Sequence, residues 1–251
     1  MLSKPQIKLI ASLEQKKFRR ELGLFVAEGA KIAQEILQSS LKVTNLYAAG
    51  NWLRENHHFY KNLDANIVHE VGDREMKSIS FLSTHSPVLL LVQIPEPSAY
   101  IPLSKNALSL GLQSIRDPGN LGTIIRLADW YGLEQVFCSE DCADVYSPKT
   151  IQATMGSISR VKIQYTDLLE LLDENRIDSF AATPSGETDI HTLEAKPPGI
   201  LLIGNESAGL SEALLAKATY GVKISRFGEA ESLNAAIATG ILLDNFKRIF
   251  G

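Results

Sequence analysis

Apolar positions along this chain change period several times. In "IKLIASLEQ", Ile7, Ile10 and Leu13 recur at helical spacing, whereas "VLLLV" near residue 90 is a short unbroken apolar run of the kind a buried strand shows. Between them "GLFVAEG", "AKIAQEILQSS", "VTNLYAA", "ANIVHEV" and "REMKSISFL" alternate strand and helix patterns, which predicts a small α/β/α sandwich over residues 1–95. Three prolines then fall within "PEPSAYIPLSKN", and residues 96–106 read as a linker. From "ALSLGLQS" the alternation restarts and runs to a closing helix expected from about Ser232. Strands separated by helices predict a mostly parallel sheet, covered on both faces, over residues 107–251. Ligands of such sheets sit beyond the carboxyl ends of the strands. Three loops stand at such ends: "RDPGNLG", "GNESAGLSEA" and "RFGEAESLN".

Charge sharpens the division into two parts. The 251 residues carry a net charge of -4, yet residues 1–95 hold 12 Lys or Arg against 9 Asp or Glu, and residues 96–251 hold 13 against 20. Lys16, Lys17, Arg19 and Arg20 cluster in "KKFRR", around Phe18. One reading is a cationic surface for RNA phosphates with a ring available for stacking, and the other is a solvated helix face beside a core phenylalanine. No apolar run approaches the roughly 20 residues of a membrane helix, and the start of the chain carries charge where a signal peptide needs its apolar region. A cytoplasmic protein is expected. Cys138 and Cys142 fit neither a redox C-x-x-C nor a four-ligand zinc site and read as free thiols.

The three loops narrow the chemistry. Neither G-x-G-x-x-G nor a P-loop is present, which disfavours a nucleotide-dependent oxidoreductase. Around Ser207 the position where a nucleophile elbow needs a glycine two residues earlier is Asn205, and every histidine precedes Ser207, which disfavours a serine hydrolase. The histidines are scattered and give no metal-ligand spacing. What remains is a set without a nucleophile or a metal. Gly119, Gly122, Gly204, Gly209 and Gly228 would let backbone close on a flat or charged ligand. Arg126 supplies a cation, Glu206 an anion, and Ser232 and Asn234 short polar groups at the start of the last helix. Such a set suits positioning and electrostatic stabilisation.

Taken together, these residues resemble the SpoU/TrmH branch of the SPOUT RNA 2'-O-ribose methyltransferases. "NLGTIIR" looks like the first motif, with Asn120, Gly122 and Arg126; "GNESAGLS" like the second, with Gly204, Asn205, Glu206 and Gly209; "ESLNAAIATGILL" like the third, with Ser232, Leu233 and Asn234. Lys149, Met155, Gly156 and Ser157 match the segment between the first two. The first half is similar to the family's RNA-binding domain, an α/β/α fold. One departure stands out: after the last strand the family has Ile-Pro-Met, and here Ile224 is followed by Ser225 and Arg226.

The resemblance implies a parallel sheet with a deep trefoil knot, a homodimer, and S-adenosyl-L-methionine as cofactor, held near Gly204, Asn205, Gly209, Ile224 and Leu233. It implies 2'-O-methylation of RNA, with large-subunit (23S) ribosomal RNA ahead of tRNA, and no metal. Arg126, Asn120, Glu206, Ser232 and Asn234 would be the catalytic residues. A self-protecting resistance methylase is a further variant, and an RNA-binding or ribosome-assembly factor without catalysis is the alternative from another class.

Overall fold

The structure, a computed structural model, describes residues 2–96, 102–104, 107–193 and 199–250. Most of the expected linker at 96–106 lies outside the described residues. Two compact units divide the chain: Met1–Ser98 with Asp144–Ser159, and Ala99–Ala143 with Arg160–Gly251.

The first unit holds α1 (Lys4–Ser12), α2 (Lys16–Leu22), β1 (Leu24–Glu28), α3 (Ala30–Leu37), β2 (Val43–Ala48), α4 (Gly50–Tyr60), β3 (Val68–Glu70), α5 (Asp73–Ile79) and β4 (Val88–Gln93). Its sheet runs β1-β4-β2-β3, with β4 antiparallel to both neighbours and β2 parallel to β3. The helical spacing of Ile10 and Leu13 lays both against Val26, Tyr47, Met76 and Leu89. Each such fully buried side chain contributes about 1.5–3 kcal/mol. Ser3 starts α1 through a reciprocal capping box with Gln6.

The second unit continues with β5 (Leu108–Leu112), α6 (Pro118–Trp130) and β6 (Gln135–Cys138). The chain then returns to the first unit as α7 (Pro148–Thr154), which packs on β1. Residues 144–159, expected with the second half, thus belong by packing to the first. The rings of Phe25 and Tyr146 lie 5.0 Å apart. Gly156, at φ +99°, sits where a Cβ would fall 2.6 Å from Glu35 Cγ, so the glycine is a packing requirement as well as a conformational one.

Arg19 is the largest correction to the sequence reading. It is only 3% exposed, and its Nε and Nη2 donate to Asp144 Oδ2 while Nη1 donates to the carbonyls of Leu13 and Glu14. A guanidinium with its donors committed inside the fold has no place on an RNA surface. Lys16, Lys17 and Arg20 are exposed, and the Lys17 ammonium lies 5.9 Å from the centre of the half-buried Phe18 ring.

The second unit completes its sheet with β7 (Lys162–Tyr165), α8 (Leu168–Glu174), β8 (Asp178–Ala182), β9 (Thr188–Asp189), β10 (Gly199–Ile203), α9 (Glu212–Lys217), β11 (Tyr220–Lys223) and α10 (Ala235–Phe250). Seven strands, ordered β7-β6-β5-β10-β8-β11-β9, pair in parallel throughout. The near-continuous apolar runs "LSLGL" and "GILLI" form β5 and β10 and are buried at every position, as strands covered on both faces require. α8 packs on α9 and α10 on α6.

Candidate active site

The first site loop is shorter than its sequence suggests. Asp117 caps α6 by accepting from the Asn120 amide at 2.9 Å, and Pro118 occupies the first helical position, where its missing N–H costs nothing. "DPGN" is therefore the opening of the helix itself. This places Asn120 in the first turn of α6, beyond the carboxyl end of β5.

The second loop leaves β10 and doubles back on itself. Gly209 N donates to Asn205 O at 2.8 Å, and Asn205 Oδ1 accepts from the amides of Ser207 and Ala208. A Cβ on Gly204 would stand 2.2 Å from the carbonyl carbon of Gly209, and Gly209 itself adopts φ +67°. Both glycines are thus dictated by the turn. Asn205 Nδ2 donates to Ser114 O at 3.0 Å, tying this loop to the end of β5.

These two loops and the third meet at one side chain. Asn120 Nδ2 donates to Glu206 Oε1 at 2.5 Å, and Asn120 Oδ1 accepts from Asn234 Nδ2 at 3.0 Å. Asn234 in turn caps α10, its Oδ1 accepting from the amides of Ala236 and Ile237. The last helix therefore begins at Ala235, and Ser232 lies before the cap rather than in the helix, fully outside this hydrogen-bonded line. Glu206, Asn120 and Asn234 share an amide and carboxylate relay, with Asn234 exposed and Glu206 and Asn120 half-buried.

Arg126 is not brought to that line. It lies six residues beyond Asn120, about 240° around α6 at the helical repeat; it is exposed and makes no hydrogen bond or ion pair with any described residue. Of the residues read as cofactor-binding, Gly204, Asn205 and Gly209 form the second loop, Ile224 is half-buried after β11, and Leu233 is 44% exposed. Lys149, Met155, Gly156 and Ser157 lie in the first unit.

The departure at Ser225 has a structural partner. The Ser225 hydroxyl donates to Asp189 Oδ2, while Asp189 Oδ1 accepts from the His191 amide and lies 2.8 Å from His191 Nδ1. These bonds, that of Ser225 foremost, hold the Asp189 carboxyl down at about 2. Proline could not make this contact. Asp189, like Asp141 and Ser139 described below, escaped sequence reasoning, because a pairing 36 residues apart leaves no local signal.

Chemically, the arrangement offers fixed hydrogen-bond donors and acceptors, one carboxylate and a free guanidinium. Among the described residues no group of three or more His, Cys, Asp or Glu is placed to hold a metal ion, and no helix is long and apolar enough to cross a membrane.

Comparison with known proteins gives consistent matches. Residues 107–244 match the model of the SpoU rRNA Methylase family, and residues 4–89 that of the MRM3-like substrate binding domain. An uncharacterized tRNA/rRNA methyltransferase of Synechocystis sp. is 29% identical over 97% of this chain and 91% of its own. The 23S rRNA (guanosine(2553)-2'-O)-methyltransferase RlmP of Bacillus subtilis is 26% identical over 94% and 93%. The crystal structure of an AdoMet-bound rRNA methyltransferase from Sinorhizobium meliloti superposes with a TM-score of 0.86 at 31% identity, covering 99% of this chain and 96% of that one.

Proposed function

Because the chain belongs to the SpoU rRNA Methylase family, we propose that it transfers methyl from S-adenosyl-L-methionine to a ribose 2'-hydroxyl of RNA, with large-subunit ribosomal RNA as the substrate. The observation that carries this reading is the convergence of the three motifs on Asn120, with Glu206 and Asn234 hydrogen-bonded to it at the carboxyl ends of the parallel strands. The choice of ribosomal RNA is supported by the full-length likeness to the Bacillus subtilis enzyme; tRNA is the second reading, favoured by the tRNA/rRNA name of the Synechocystis relative.

The residues present fit the cofactor. At Gly209 and Gly228 nothing stands within 4 Å of where a side chain would be, and Leu233, 44% exposed, and Ile224, half-buried, offer apolar side chains in the segment after β11. Gly204, Asn205, Gly209, Ile224 and Leu233 would hold it, largely through backbone, and a trefoil knot would shape its bed. The cofactor supplies a methyl on a sulfonium that departs as a neutral thioether.

The protein must then make a weakly acidic hydroxyl nucleophilic. A guanidinium is a fixed cation rather than a base, so Arg126 holds the target phosphate and stabilises developing alkoxide charge, while phosphate or water accepts the proton. Asn120 and Asn234 orient the ribose, with Ser232 beside them, and Glu206 fixes Asn120.

Since Arg126 points away from Asn120 within one chain, the complete site is that of a homodimer, in which Arg126 of one copy serves the relay of the other. Ile237, 58% exposed, stands with Thr123, Leu127 and Ile241 along the surface such a pairing would bury. Exposed Lys16, Lys17 and Arg20 in the first unit would track RNA phosphates. An RNA substrate of this kind places the work in the cytoplasm.

The test is transfer of labelled methyl to unmodified, size-fractionated total RNA, with Arg126→Ala as control. Label in large ribosomal RNA that the variant loses is the expected result, and label in tRNA moves the substrate to the second reading. Failure to bind S-adenosyl-L-methionine, with no label in any fraction, overturns the enzyme in favour of an RNA-binding factor.

A further inference from the structure

Two residues past β5, Ser114 holds a left-handed conformation, φ +58°, one of only two non-glycine residues with positive φ among those described. An L-residue holds that conformation only when its surroundings over-determine it. Here they do. Ser114 N donates to Ser139 Oγ at 2.9 Å, and the hydroxyls of Ser114 and Ser139 each donate to Asp141, to Oδ2 and Oδ1 respectively, at 2.6 Å. Arg116 Nη2 adds a third donor to the same carboxylate at 3.1 Å. Flanking backbone bonds close the bracket: Ile115 N donates to Cys142 Sγ at 3.3 Å and Ala143 N to Ile115 O at 2.8 Å.

What hangs from this bracket is the active site. The carbonyl of Ser114 accepts from Asn205, which anchors the Glu206 loop, and three residues past Ser114 Asp117 starts the helix that carries Asn120. The turn at Ser114 thus sets the separation of Asn120 from Glu206 from both sides.

We propose that Asp141 is a positioning residue of the methyltransferase site, holding Ser114 in its left-handed turn so that Asn120 and Glu206 meet. The proposal rests on the reading given under Proposed function. None of the three sequence motifs contains Asp141, and it does not touch Asn120, Glu206 or Asn234. Its carboxyl is held at about 2, with the Ser114 and Ser139 hydroxyls as the leading causes, so it is a full acceptor across the neutral range. The Glu206 loop keeps its own internal bonds at Asn205 and Gly209, so loss of the bracket moves the loop as a piece without dismantling it.

The discriminating variant is a glycine at the strained position, because glycine adopts φ near +60° without help. Asp141→Ala is expected to lower kcat by roughly tenfold to a hundredfold, the scale on which small misplacements of reacting groups act. Affinity for S-adenosyl-L-homocysteine, measured by calorimetric titration, should stay within about threefold, since the loop keeps its shape. Adding Ser114→Gly to Asp141→Ala should recover most of the lost kcat. Hydrogen exchange provides an arm that needs no activity: amides 113–121 should exchange faster in Asp141→Ala and return toward wild type in the double variant. Wild-type kcat and exchange in Asp141→Ala would overturn the proposal, and so would a loss that Ser114→Gly does not relieve. Wild-type protein that transfers no methyl while the exchange pattern holds would instead remove the methyltransferase reading and leave the bracket standing.

Discussion

Two arginines, one in each unit, show how little a basic residue's place in the sequence says about its task. Arg19 sits among Lys16, Lys17 and Arg20 in the most cationic stretch of the chain, yet it is buried against Asp144 and two carbonyls. Arg126 follows the apolar pair Ile124-Ile125, buried within α6, yet it is exposed and without a partner among the described residues. Desolvating a guanidinium is tolerated only when its donors are matched, so Arg19 is structural by necessity. Arg126 is exposed and commits none of its donors to a described residue, the state in which a cation can still be given to a ligand.

The difference can be broken from either end. Arg126→Ala should lower methyl transfer by about a hundredfold to a thousandfold, the scale of losing one charge-stabilising donor, and leave the thermal midpoint unchanged, since exposed substitutions alter stability by less than about 0.5 kcal/mol. A midpoint that falls with activity would make Arg126 a second Arg19. Arg19→Ala should do the reverse. It leaves Asp144 and two carbonyls without their donor and should cost about 3 kcal/mol in denaturant unfolding, with the cofactor affinity of the folded protein unaffected.

Replacing Lys16, Lys17 and Arg20 together with alanine sharpens the contrast within one helix. RNA affinity should fall and its dependence on salt should flatten by a slope of about 2–3, without loss of stability. An unchanged slope would show that the exposed neighbours of Arg19 do not meet phosphate either.

The smallest effect concerns Arg116, an intermediate case paired with Asp141 at the surface, with side chains 71% and 44% exposed. The folded Asp141 titrates at about 2, below its ordinary 3.8, so the unfolded chain takes up a proton first as pH falls. The bracket's contribution to stability is therefore complete above pH 4 and disappears between about pH 4 and 2. Acid unfolding followed with and without Asp141→Asn should differ only above that window, converging below it.

The site was legible in sequence to the extent that it is local. Gly204 and Gly209 in a tight loop and Asn234 near the start of an apolar helix each follow from local backbone preference, whereas "DPGN", expected as a turn before the helix, is the opening of the helix itself, capped by Asp117. The start of α10 was misplaced by three residues because Ser232 and Asn234 are both able to cap, and only the bond from Asn234 to Asn120 selects between them.

By itself the sequence determined the two α/β parts, the parallel character of β5 and β10 and the three glycine-marked loops, because period, burial and turn chemistry act over a few residues. Tertiary structure alone decided that residues 144–159 cross to the first unit, that Arg19 is a buried tie, that Ser225 leans on Asp189, and that Ser114 is held in strain by Asp141. Each of those facts is a hydrogen bond or close contact between residues from 25 to 125 positions apart, and at such separations only the folded chain selects which donor meets which acceptor.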